Sequence, residues 1–248
     1  MPLARWVVIV LALSGASPAL AQTAPWPRRV LVSINAGMQL TGERSDQQLT
    51  PVINGEPSSV SVSTPFQRGL SFDGGATIRV RGAFGIAAAV SAYSKDGEGA
   101  VSGQIPHPLQ FNRPRTLTGT ATGLSRTEVG VHVDAAYIAK SRGRVSAVVS
   151  AGVSIFNLSQ TAVTGVNYAE TYPFDSVTFT SATTVSASKA AIGFNGGVDV
   201  TWKLSRRAGI GALARFSRAS ATLSPAGGGD ISTSAGGLMA GAGVRFGL

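Results

Sequence analysis

The sequence has no cysteine and only two histidines in 248 residues. No disulfide can staple the chain, no thiolate can hold zinc, and His107 with His132 cannot build a histidine-rich metal site. Charge is scarce as well: Asp, Glu, Lys and Arg make up 13% of the chain, against about 25% in ordinary soluble domains. The charge that is present leans basic, 21 residues against 12, for a formal +9. These bases are scattered, with no aromatic-interleaved basic motif, so nucleic acid is not an expected partner. The 44% apolar content rules out disorder, and 31 glycines with so little charge do not describe a soluble enzyme.

Long hydrophobic runs are also missing, with one short exception at the start. Arg5 precedes the apolar stretch Trp6–Leu13, Ser14, Gly15 and Pro18 break it, and Ala19-Leu20-Ala21 has the A-x-A form of a cleavage site. The pattern predicts a signal peptide over 1–21 rather than a spanning helix, which needs about 20 apolar residues. Residues 22–29 (QTAPWPRR) read as a linker, and 30–248 as one β domain. If the exported chain enters a membrane, it does so with strands.

The period-2 signal is strong. At 238–248 (LMAGAGVRFGL), Leu238, Val244, Phe246 and Leu248 fall on one face with two alanines, while Met239, Arg245 and three glycines fall on the other. The same alternation appears at 30–40, 69–80, 84–94, 127–139, 144–157, up to 202, and 208–217, giving eight strands of about 10 residues. In the second of these the even apolar series extends back to Val60 and Val62. Residues 41–57, 95–114, 161–181 and 224–230 read as long polar loops, alternating with short turns near 81–83, 140–144 and 204–207. An even number of strands places both termini at the short-turn end. A soluble barrel or sandwich also alternates, but it turns its apolar face inward and covers the other with Lys, Glu, Thr and Asp. Here the second face is mostly Gly, Ala and Ser, which suits a crowded lumen, and the spacing predicts an all-β, eight-stranded antiparallel transmembrane barrel.

With this signal peptide, strand pattern and amphipathic last strand, the chain resembles the small bacterial outer-membrane barrels of the OmpA/OmpX-like superfamily. The resemblance implies the outer membrane as location, short periplasmic turns, long extracellular loops and no cofactor. The last strand is similar to the C-terminal signal read by the barrel assembly machinery. It departs from that signal in ending on Leu248, with its aromatic two residues earlier at Phe246. The other expected partners are outer-membrane lipids and an unidentified ligand at the loops, with the barrel a monomer.

Charges on the inward face are the first candidate site. Glu128, Asp134 and Asp199 have Arg79, Arg215 and Arg245 as counterparts, and His132 lies among them. Isolated charges in a filled lumen are costly, so these should pair and plug it. A narrow channel is the alternative use of the same residues. His132 and Asp134 share a face in a Ser-rich chain, so a Ser–His–Asp arrangement acting on membrane lipid is a further alternative, but no nucleophile elbow accompanies them. Gly209–Ala214 fits G-x-G-x-x-A, yet alternation runs through it and no helix follows, so a dinucleotide site is excluded. Arg81, Lys140, Arg142, Arg144, Lys203, Arg206 and Arg207, with Arg28 and Arg29, form a basic rim at the turns, suited equally to anionic lipid headgroups and to the simple solubility of turns. The reading is a non-enzymatic barrel of structural or surface-interaction role.

Overall fold

The computed structural model describes residues 29–139 and 143–248. The expected signal peptide, most of the linker, and Lys140 and Arg142 lie outside these residues. The rest is strand and tight turn: β1 (Val30–Gln39), β2 (Glu43–Leu49), β3 (Val52–Ile53), β4 (Glu56–Pro57), β5 (Ser59–Phe66), β6 (Gly69–Arg81), β7 (Phe84–Pro106), β8 (Pro114–Ile138), β9 (Val145–Glu170), β10 (Val177–Lys203), β11 (Ala208–Leu223) and β12 (Ile231–Gly247).

Eight of these strands close into an antiparallel ring in the order β1, β6, β7, β8, β9, β10, β11, β12, and β12 pairs back to β1 from Leu31↔Gly247 to Gln39↔Met239. The outside of this ring is a continuous apolar belt. Ile34, Phe72, Ile86, Val131, Val153, Phe194, Ile210 and Val244 all expose their side chains there. Leu238, Phe246 and Leu248 lie on the same outer face. No water-soluble packing tolerates such a belt, whereas a bilayer requires it: about 25 Å of apolar wall, closed so that no strand edge meets lipid.

The strands do not stop at the belt. β7 to β10 run for 23 to 27 residues each. The stretches 41–57, 95–114 and 161–181 are therefore not long loops but mostly strand, with tips near 54–55, 107–113 and 171–176, and a fourth tip at 224–230. The reason is burial. Beyond the belt the sense of the alternation reverses, so that polar residues point out and apolar residues point in. On β5, Val60, Val62 and Phe66 are buried while Ser59 and Ser61 are exposed; on β8, Leu117 is buried between exposed Thr116 and Thr118. These residues meet Val101, Ile105, Leu124 and Val163 in a core of their own above the membrane belt. The extension is thus a water-facing continuation of the sheet, with its own core, stacked on a membrane barrel.

The even series from Val60 to Val80 does not share one face. Phe66 is buried and Leu70 exposed, because the chain breaks at Gln67–Arg68 and resumes with the opposite parity. At 40–42 the chain leaves the β1 ladder without a change of parity: odd positions stay inward, Asn35 and Gln39 on β1, then Ser45, Gln47 and Leu49 on β2. Above that point, β2 and β5 stand where β1 and β6 stand below, with β5 pairing to β7 through Ser59↔Gln104 to Ser63↔Ala100.

The boundary predicts opposite responses to one substitution on one strand face. Val131→Arg, at the middle of the belt, should destabilise the barrel by about 2–4 kcal/mol, while Thr118→Arg in the extension should cost close to nothing. Urea unfolding in lipid vesicles measures both. Equal costs would place the boundary elsewhere.

Candidate functional site

The lumen is filled in layers. At the turn end Leu31, Ala136, Ile138 and Val148 pack together. Polar side chains occupy the middle. Above them Phe156, Leu158, Leu223 and Ile231 close the lumen toward the extension. The polar layer keeps a cavity of about 20 Å³ beside Ser91, Glu128, His132 and Arg215, the size of one water molecule.

Each inward charge but Arg79 can be followed to its partner. Arg245, fully buried, meets Asp199 at 2.9 Å, and Thr201 donates to the same carboxylate. Gly211 makes the room: a Cβ there would lie 3.0 Å from the Arg245 guanidinium carbon and 2.5 Å from the Val200 carbonyl oxygen. Arg215 pairs with Asp73, which also accepts from the Asn35 amide at 3.2 Å. Asp134 is held by neutral donors, Asn195 Nδ2 at 2.8 Å and Ser150 Oγ at 3.2 Å. Glu128 pairs with Arg126 at 2.7 Å, two positions along the same face.

The expected set of three acids and three bases is therefore rearranged. Arg245 and Asp199 are together. Arg215 takes Asp73, and Glu128 takes Arg126, neither of which was among the predicted residues. Arg79 sits apart, half-exposed at the turn end, with its Nε buried and without a hydrogen-bond partner. The signals for the two missed residues were present. Asp73 lies in the same odd series as Arg79 on β6, and Arg126 lies one face-repeat before Glu128 on β8.

Arg126 and Glu128 have a second task. Above Met239 the β1–β12 ladder ends; after a last main-chain bond from the Leu40 N–H to the Leu238 carbonyl at 2.6 Å, the β12 main chain on that edge bonds to side chains. Arg126 donates to the Ser234 carbonyl, Glu128 accepts the Gly236 N–H at 2.6 Å, Gln39 donates to the Gly236 carbonyl at 2.9 Å, and Thr41 accepts the Leu238 N–H at 2.9 Å. Gly236 takes φ +91° at this bend, where a side chain would also strike Ser217. Arg126 is further fixed by Gln160 and Thr233, both at 2.8 Å.

His132 lies fully buried on the lumen side. Its two ring nitrogens meet Ser91 Oγ and Ser154 Oγ, each at 2.8 Å, and its ring lies edge-on to Phe156. Asp134 is bound to Asn195 and Ser150 rather than to His132. The three residue types are near one another, but their hydrogen bonds are internal and neither lipid nor bulk water reaches His132. This is packing geometry and lacks the open nucleophile a hydrolase needs. His107, buried under the extension's tips, uses Nδ1 to accept the Leu109 N–H at 3.1 Å. No group of residues that could hold a metal ion occurs among the described residues.

The fold defines an eight-stranded transmembrane β-barrel with a filled lumen. It is similar in structure to Neisserial surface protein A (11% identity, TM-score 0.45, covering 90% of this chain and 99% of that one). It is also similar to the outer membrane protein OprG from Pseudomonas aeruginosa (8%, 0.48, 89% and 96%) and to the outer membrane protease OmpT from Escherichia coli (10%, 0.48, 93% and 100%). No protein-family model matches the chain, and no curated protein matches it.

Removing one partner of a buried pair leaves a charge without compensation. Arg126→Met should destabilise the barrel by at least about 3–5 kcal/mol, since it also strips a main-chain partner from β12. Asp199→Asn, which keeps hydrogen bonding to Arg245, should cost less. Urea midpoints of the refolded proteins rank the two, and a larger cost for Asp199→Asn would contradict the role given to Arg126.

Proposed function

We propose that the protein is a non-enzymatic, non-conducting outer-membrane barrel that holds its β-extension at the cell surface as a rigid interaction platform. One observation carries the reading: strand pairing continues past the apolar belt into a part with its own core and a polar exterior. Crossing the membrane does not require that part, and free loops would not order it. Rigid strands with exposed polar faces lower the entropy lost when a partner binds. The signal peptide expected over residues 1–21 supports export, and in bacterial barrels of this kind the short turns face the periplasm. The stacked apolar, polar and apolar layers of the lumen disfavour conduction, and the sealed surroundings of His132 disfavour lipid hydrolysis there.

A concave feature of the extension is open to a partner. A recess of about 580 Å³ is lined by Leu49, Pro51, Ile53, Val166, Tyr168 and the backbone of Gly227–Gly229. No charged side chain lines it. Burial, and next the charge of Glu170, pushes the Tyr168 hydroxyl above its ordinary range, so it remains a neutral hydrogen-bonding group. An uncharged ligand with an apolar face fits this lining.

The natural absence of cysteine makes the topology directly readable. On intact cells a membrane-impermeant maleimide should label Thr118→Cys and Ser61→Cys, and should reach Arg206→Cys only after the envelope is opened. The reverse pattern would overturn the proposed orientation. In planar bilayers the purified protein should give no discrete conductance steps; reproducible steps would replace this reading with a channel.

A further inference from the structure

Two features of the outer wall meet at the turn end of the barrel. The first is charge. Among the described residues Arg29, Arg81, Arg144, Arg206 and Arg207 are exposed there, with Arg79 and Lys203 half-exposed, and the turns contain no Asp or Glu. Asp199, on the strand that leads into the Arg206–Arg207 turn, is committed to Arg245 inside the lumen.

The second feature is shape. On the lipid face of β9 to β12 a groove of about 590 Å³ is lined by Val145, Val200, Trp202, Ile210, Ala212 and Val244, among others. Cross-strand register explains it. Trp202, Ile210 and Val244 fall in one row, and Val200, Ala212 and Ala242 in the next. Ala214 and Ala240 follow above, before Phe216 and Leu238 restore bulk. Large side chains followed by two rows of mostly alanine leave a depression one chain wide. The turn Ser205–Arg206–Arg207 joins the strands that carry Trp202 and Ile210, and Arg144 directly precedes Val145. The Lys203 N–H donates to the Arg144 carbonyl at 2.8 Å, tying the two edges of this mouth together.

We propose that this groove, with Arg144, Arg206 and Arg207 at its mouth, binds one anionic glycerophospholipid of the leaflet at the turn end. One acyl chain lies over Ala212 and Ala242, and the headgroup phosphate lies against the arginines. An apolar groove alone would take any acyl chain. Guanidinium groups on turns that hold no Asp or Glu select phosphate and an additional negative charge, through hydrogen bonds that are charge-assisted and bidentate. Trp202 sits where an aromatic ring marks the boundary between acyl chains and headgroups. The proposal rests on the orientation given above, which puts this rim in the inner, phospholipid leaflet.

Trp202 lines the groove and is the one tryptophan among the described residues. The exported protein carrying Trp26→Phe is reconstituted in phosphatidylcholine vesicles with a minor fraction of bromine-labelled lipid. Brominated phosphatidylglycerol should quench Trp202 more strongly than the same fraction of brominated phosphatidylcholine, with local enrichment of about fivefold for each base that engages. Replacing Arg144, Arg206 and Arg207 together by Ala should remove the preference. Ala212→Phe, which fills the groove and leaves every charge in place, should remove it too. Equal quenching by the two lipids overturns the proposal. So does a preference that survives Ala212→Phe, which would reduce it to general surface attraction, or one abolished by inorganic phosphate at constant ionic strength, which would mark an ion site. Heat-modifiable gel migration checks that each variant is folded. Vesicles present the same lipid to both ends of the barrel, so failure here is separate from failure of the orientation, which the cysteine labelling reads.

Discussion

In hydrocarbon a main-chain N–H or C=O has no water to fall back on, and the structure depends on how the ring meets that constraint. For most of the belt the solution is the ladder between β1 and β12. Above Met239 the ladder ends, because β1 breaks at 40–42 and its continuation, β2, does not pair with β12. Arg126 and Glu128 stand in for the missing strand, the guanidinium donating to Ser234 and the carboxylate accepting from Gly236. A buried ion pair on its own is weak evidence for stability, since desolvation can cancel its attraction. This pair differs in satisfying backbone groups that would otherwise be orphaned at a cost of about 1–3 kcal/mol each. It completes the ring where the strands do not.

The rest of the polar layer follows the same economy of pairing. Every inward carboxylate has a cation or a set of neutral donors, and His132 is held by two serines. Apolar layers above and below limit the water that reaches the ion pairs. The filled lumen is therefore more than leftover volume. It locks eight strands in register, and the chemistry exposed to partners is moved to the two ends, a polar extension at one and a basic rim at the other.

The eight belt strands were legible in the sequence because lipid outside and a crowded lumen inside give a clean two-residue period. The extension was not, although it alternates just as regularly. Its sense is reversed, and short apolar residues such as Val60 and Val62 between serines look like a weaker copy of the belt pattern. The one-residue slip at Gln67–Arg68 hid the reversal by keeping Val60, Phe66, Leu70 and Phe72 all at even positions. On β11 no slip intervenes, and the switch from Phe216 outside to Ala221 and Leu223 inside can be read directly. The site was legible in part. Parity alone put Arg245, Asp199, Glu128 and Asp134 in the lumen. Which acid meets which base depends on how strands far apart in the chain face one another, and the break in β1 that gives Arg126 its second task leaves no mark in the period.

The soluble core of the extension also constrains what variation the surface can bear. Free loops on a barrel absorb insertions and deletions of any length. Here one residue gained or lost between 95 and 106 would turn Val101 and Ile105 from the core to water, and a matching change on β8 would be needed to restore them. Length can drift freely only at the four tips. Under pressure to change its surface, this protein would diverge by substitution along the strands and by length at the tips, so its relatives should differ in tip length far more than in hairpin height.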